Sequence, residues 1–175
     1  PPVEYRFTNV LCASNGGTGG TSSTWQTSTS HTDSGLQVNK CYAYTVQARD
    51  SVTPTPNTGT ASASSSAYTA AAIPGAPTLS SPSTSTLTLT NAENGNPAVN
   101  PTTVFAVFVS STSPNDPKWP GFWVNSSGNG TSSTEVWMSD ATLDALTVSN
   151  LATSTTYTFK VKERNFSNEN TALGP

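Results

Sequence analysis

The strongest constraint on the fold is a repeat. Residues 35–50 read GLQVNKCYAYTVQARD, and residues 150–165 read NLATSTTYTFKVKERN. At a constant offset of 115 residues, Leu36 matches Leu151, Tyr42 matches Tyr157, Tyr44 matches Phe159, Val46 matches Val161 and Arg49 matches Arg164. In each copy the Tyr, the second aromatic and the Val fall at period two, which places them on one face of a β-strand. The Leu six residues earlier closes the preceding strand. A repeat of this length marks two structural modules. The seam lies in AYTAAAIPGAPTLSSPS (67–83), which closes one strand run, breaks at Pro74-Gly75 and restarts. Proline lacks the amide that a central strand needs, so this segment is read as linker and edge. The modules are expected at 1–73 and 74–175.

Composition agrees with strands. The chain has 30 Thr and 26 Ser, and charged residues make up only 10%. Thr and aromatics suit pleated, half-buried surfaces, while Ser, Gly, Asn and Pro suit turns. The 33% of hydrophobic residues, set at period two, argues against disorder. The expectation is an all-β chain. In the second module APTLSSP, STLTLTN (through Leu87 and Leu89), TVFAVFVSS, FWVNSSG, EVWMS, DALTVSNL and TYTFKVKERN read as about seven short strands of a β-sandwich, with a final stub at TALGP. In the first module VEYRFTNV corresponds to TVFAVFVS, and TWQTS, a segment ending at SGL, CYAYTVQARD and GTASASSSAYTA follow. Two strands expected upstream are absent. The chain therefore reads as a window on a longer repeating protein, and its start, PPVEYRF, as the product of processing or truncation.

Charge and cysteine usage narrow the function classes. A net charge of -3 with no Lys/Arg cluster excludes a nucleic-acid surface, because nothing would displace counterions. The densest basic run, KVKER at 160–164, alternates along a strand and reads as a solvated face. No apolar run approaches the 18 or so residues needed to span a bilayer, so no membrane insertion is expected. Two cysteines, Cys12 and Cys41, in a Ser/Thr-rich, Lys-poor chain suggest an oxidising, extracellular or cell-surface setting. Two free thiols or half a metal site are the alternatives. The single His31 and the lack of a CxxC pair disfavour the metal.

With the Leu-x5-Tyr-x-aromatic-x-Val-x-x-Arg-Asp/Asn pattern, the Pro-Gly-x-Pro start at 74–77 and the strand count, the chain resembles the fibronectin type III module of bacterial secreted and surface proteins. The resemblance covers residues 1–73 as a truncated copy and 74–175 as a near-complete one. It implies two tandem immunoglobulin-like β-sandwiches, the first without its two N-terminal strands. It assigns Tyr42 and Tyr157 to the tyrosine corner, in which the hydroxyl bonds back to the backbone. It also implies that the strand at 3–10 pairs antiparallel with that at 42–49, bringing Cys12 beside Cys41. A disulfide there would close a loop of roughly 30 residues and contribute about 3 kcal/mol. Two departures stand out. STLTLTNAENGNP has no Trp, which the family usually carries in its second strand. Glu163 stands where the first copy has Ala48, so that strand end is expected in solvent.

The search for chemistry finds little. His31, in STSHTDSG near Asp33, lacks a Gly-x-Ser-x-Gly elbow and reads as a surface-loop residue. The ten carboxylates are scattered along the sequence with no evident cleft for paired acids. NAENGNP (91–97) faintly resembles a calcium loop through Asn91, Glu93 and Asn94, but lacks the spacing and the closing bidentate Glu, so a polar turn is expected. Gly-rich SNGGTGGTSS (14–23) lacks the Lys and helix of a phosphate loop and reads as a flexible connection. No catalytic residue, metal or cofactor is expected. Trp119, Phe122, Trp123 and Trp137 are candidates for core or interface packing, or for a sugar platform. Asn125, Asn129 and Asn165 head Asn-x-Ser/Thr sequons and are glycosylation candidates. Ser/Thr tracts at 58–69 and 78–90 leave O-linked sugars open.

The expected function is non-catalytic and architectural: a surface or filament component that self-associates or contacts neighbouring modules of the same protein. The rival readings are a carbohydrate-binding adhesin and an accessory spacer of a secreted polysaccharide-degrading enzyme.

Overall fold

A computed structural model describes residues 2–97, 103–114 and 116–175. The chain divides into two compact units, Pro1–Thr69 and Ala70–Pro175. The division falls before Pro74 because the segment ahead of that proline is fastened to the second unit. The buried Asn96 side chain accepts from the Ala72 amide at 2.9 Å and donates to the Ala72 carbonyl at 2.9 Å, and Asn94 Nδ2 donates to the Ile73 carbonyl. A side chain that answers both backbone polar groups of one residue holds it as a neighbouring strand would.

The first unit is built on one antiparallel sheet of β1 (Glu4–Val10), β2 (Cys41–Arg49) and β3 (Ser65–Tyr68), in the order β1-β2-β3. The β1–β2 register runs from Glu4 opposite Arg49 to Val10 opposite Ala43. Cys12 and Cys41 are disulfide-bonded with their Cα atoms 6.0 Å apart, closing the end of this pair. The expected TWQTS strand is reduced to a bridge between Gln26 and Tyr5. Side chains organise the connection instead: Asp33, Gln26 and Ser28 accept from or donate to its backbone repeatedly.

The second unit has two sheets. One holds β4 (Thr78–Ser80), β5 (Leu87–Thr90) and β10 (Thr147–Val148) in the order β10-β5-β4. The other runs β11-β6-β7-β8, from β6 (Val104–Ser113), β7 (Phe122–Val124), β8 (Thr131–Ser132) and β11 (Thr156–Arg164). β9 (Met138–Ser139) also pairs with β6. The apolar run VFAVFV forms the paired centre, as its near-continuous hydrophobicity requires. A short helix, α1 (Asp140–Asp144), is capped by the Ser139 hydroxyl, which accepts from the Thr142 amide. Between the sheets lies a core that includes Leu89, Phe105, Val107, Trp119, Val148 and Val161, all fully buried. The C-terminal segment returns along β11: the Thr171 amide donates to the Glu163 carbonyl and that of Gly174 to the Val161 carbonyl.

Glu163 corrects an expectation. It is fully buried rather than solvated, because it keeps the inward phase of Tyr157, Phe159 and Val161 and lies opposite Phe105. Period two outweighs polarity at this position, and the returning segment covers it.

Candidate functional site: the open face of the first sheet

The register places Tyr5, Phe7 and Asn9 of β1 on the same face as Tyr42, Tyr44, Val46 and Ala48 of β2. The matching pattern in the second unit sets Phe105, Val107 and Val109 beside Phe159, Val161 and Glu163. There the face is sealed: Val107 and Val161 are 0% exposed beneath residues such as Leu89 and Val148. In the first unit Phe7, Tyr44 and Val46 are only half-buried. Strands equivalent to β4 and β5 are not among its described residues. A cavity of ≈ 420 Å³ opens there, lined among others by Phe7, His31, Leu36, Tyr44, Ala67 and Tyr68.

Part of the face is roofed by the connection from β1 to β2. The His31 ring stacks on Phe7 with centroids 5.8 Å apart and stands edge-on to Tyr44 at 6.1 Å. His31 is thus half-buried packing material rather than a free loop residue. Asp33 accepts from the Thr21 amide (2.6 Å), the Tyr44 hydroxyl (2.5 Å), the Thr21 hydroxyl and the Ser34 amide. The Thr21 amide and then the Tyr44 hydroxyl hold its carboxyl down to about 2. Burial, followed by the bond to Asp33, pushes the Tyr44 phenol up. An ionised Asp33 and a protonated Tyr44 therefore lock together across the ordinary pH range. The carboxylate orients the loop rather than the imidazole, and the triad geometry is not met.

The two tyrosines of the repeat have matching geometry. The Gln37 amide donates to the Tyr42 hydroxyl at 2.9 Å, and the Ala152 amide to the Tyr157 hydroxyl at 2.8 Å, each five residues back. The Tyr42 hydroxyl donates on to the Thr18 carbonyl at 2.7 Å, whereas that of Tyr157 donates to Asp116 Oδ2 at 2.6 Å. Burial, then the Asp116 bond, raises the Tyr157 phenol to about 12. The fold is fibronectin type III-like. The Gly-rich stretch belongs to this corner and is not merely flexible. A Cβ on Gly17 would stand 2.2 Å from the Tyr42 hydroxyl oxygen.

The sequence matches no protein-family model and no curated protein. Among solved structures it is similar to the FN1–FN3 domains of chicken CNTN1, with a TM-score of 0.35 and 14% identity. That match covers 99% of this chain and 52% of the other, so the chain spans about half the length of that structure. The disulfide fits an extracellular protein. Among the described residues no helix is long and apolar enough to cross a membrane.

The four aromatic candidates do not form one platform. Trp119 is fully buried in the core of the second unit, which removes it from any sugar-stacking surface. Phe122 is 36% exposed. Trp123 packs against Phe108 at 5.1 Å with Lys162 over its ring, and Trp137 carries the Arg164 guanidinium at 4.0 Å. Glu135 joins Lys162 and Arg164 across this outer face. Sequence reading missed Trp25, whose ring lies under Arg49 at 4.4 Å, the counterpart of Trp137 under Arg164. The signal was present but displaced, since this pair is offset by 112 residues instead of 115. Of the sequons, Asn125 and Asn129 hydrogen-bond each other in a surface turn. Asn165 is 2% exposed and its amide is engaged by Glu169, which leaves a glycan no room on the folded chain.

Proposed function

We propose that this chain is a non-catalytic structural part of an extracellular repeat protein, a surface or filament component that assembles through β-sandwich contacts. The observation that carries the reading is the half-open inner face of the first sheet, at positions that the second unit seals. Apolar surface left in water favours association by roughly 25 cal/mol per Å² covered. The occupant that suits the face is a pair of strands with alternating apolar residues, of the kind β4 and β5 supply in the second unit. A neighbouring module of the same protein, in the same chain or another copy, is its source.

Sedimentation velocity across a concentration series, with dye binding to exposed apolar surface, tests this. Expected are anilinonaphthalene sulfonate fluorescence at low concentration, reversible self-association at high micromolar concentration, and loss of both in Val46→Asp. A chain that stays monomeric throughout and binds no dye overturns the reading.

A further inference from the structure

We propose a calcium site in the second unit, formed by Glu93, Asp140, Asp144 and the side-chain oxygen of Asn91. Glu93 lies in the loop that follows β5, and Asp140 and Asp144 lie one turn apart on one face of α1. One carboxylate oxygen from each of the three lies within 4.8 Å of the others. Calcium binds oxygens at about 2.3–2.6 Å, so ligands on opposite sides of the ion stand roughly 5 Å apart. The three oxygens thus fit around a single ion.

The carboxylate cluster alone would be unremarkable on a surface, but this one reaches inward. Asp140 is 6% exposed and Asn91 is 8% exposed. Asn91 lies beside the acids: its Nδ2 donates to Asp140 Oδ1 at 3.0 Å and its backbone amide to Asp144 Oδ1 at 2.8 Å. Its Oδ1 is buried without a hydrogen-bond partner. A buried acceptor left without a donor, on a residue bonded to two of the three carboxylates, is an arrangement that a cation satisfies. Among the described residues of this unit, the salt bridges of Lys162 and Arg164 go to Glu135 and not to this cluster.

The chemistry of the donors selects the ion. All four are oxygens, with no imidazole or thiolate, which disfavours zinc and copper. The set mixes carboxylates with an amide carbonyl on a loop and a short helix. That suits the flexible sphere of calcium better than the octahedron magnesium demands. The loop pattern Asn91-x-Glu93 lacked a closing carboxylate in sequence. The fold supplies two, 49 and 53 residues beyond Asn91. The same loop carries Asn94 and Asn96, which hold residues 72 and 73, so the ion would brace the entry segment of this unit as well as α1.

The test is calorimetric titration of the full chain, freed of metal by chelation, with calcium chloride, together with thermal melts. Expected are one calcium per chain, a Kd of about 10⁻⁴–10⁻³ M as in extracellular modules, and a melting temperature that rises with calcium. Magnesium should give a smaller rise at the same concentration. Glu93→Gln, in a loop that keeps its backbone bonds, should weaken binding about tenfold, and Asp144→Asn likewise. If either variant is unfolded, the other and the Asn91 side-chain amide resonance, which should shift on titration, decide the matter. No heat and no thermal shift at millimolar calcium overturn the proposal. So does a shift that both variants retain in full.

Discussion

Val46 and Val161 occupy the same place in the repeat, and a single change made at both measures how open the first sheet is. Val→Ala removes two methyl-sized groups. At about 0.8 kcal/mol each, the lost burial is roughly 1.6 kcal/mol, and the cavity left in a rigid core brings it to about 2–3 kcal/mol. That figure applies to Val161, which is 0% exposed between two sheets. Val46 is half-buried against one sheet, so its methyls are already partly wet and no closed cavity forms. Its replacement should cost less than about 1 kcal/mol. Urea unfolding of each variant reads the difference. The first unit is followed through Trp25, the only Trp it contains, in a chain whose other three have been changed to Phe; the second is followed in Trp25→Phe. Equal losses at the two positions would mean that Val46 is sealed, and the reasoning from an open face would be refuted.

Other expectations follow from single contacts. Replacing both Cys12 and Cys41 by Ser should remove about 3 kcal/mol from the first unit and nothing from the second, which urea titration of the two Trp signals resolves. Gly17→Ala drives a methyl into the Tyr42 hydroxyl and the ring carbons beside it and should cost about 1–3 kcal/mol, read by urea titration of the first unit. Tyr157, raised to about 12 from 10, contributes stability that is full below pH 10 and lost as pH climbs toward 12. Tyr157→Phe should therefore flatten the alkaline limb of the second unit's thermal melts. Asp33, lowered to about 2 from 3.8, contributes stability that is present above pH 3.8 and lost as pH falls toward 2. Asp33→Asn should accordingly abolish the acid sensitivity of the first unit's melt over that interval.

Much of the β architecture was legible because strand signals are local. The period-two runs at 87–90 and 156–164 became β5 and β11, and the near-continuous apolar run within 104–113 became β6. The repeat carried both tyrosines to the same hydrogen bond, since five-residue separations survive sequence drift around them. What was not legible depends on contacts between distant segments. Nothing near Glu93 in sequence announces Asp140 and Asp144. Nor does the loop around Trp119 reveal that its ring turns inward between sheets. EVWMS yielded only the two-residue β9, because Glu135 and Trp137 are taken up by Lys162 and Arg164 on the outer face. The packing of His31 was not legible because a stacking partner 24 residues away leaves no periodic trace in a loop.

The Asn96 clamp bears on where this protein can be cut. Pro74 invites excision of the second unit at 73/74, yet that cut removes Ala72 and with it both bonds between that residue and the Asn96 carboxamide, leaving only the Nδ2 bond to the Glu93 carbonyl. Stranding the Oδ1 acceptor costs on the order of 1–3 kcal/mol. A fragment beginning at Ala70 keeps the clamp whole, and should express as the more soluble and protease-resistant of the two. Linker insertions follow the same boundary: they belong before Ala70, where the chain is not yet committed to the fold that follows.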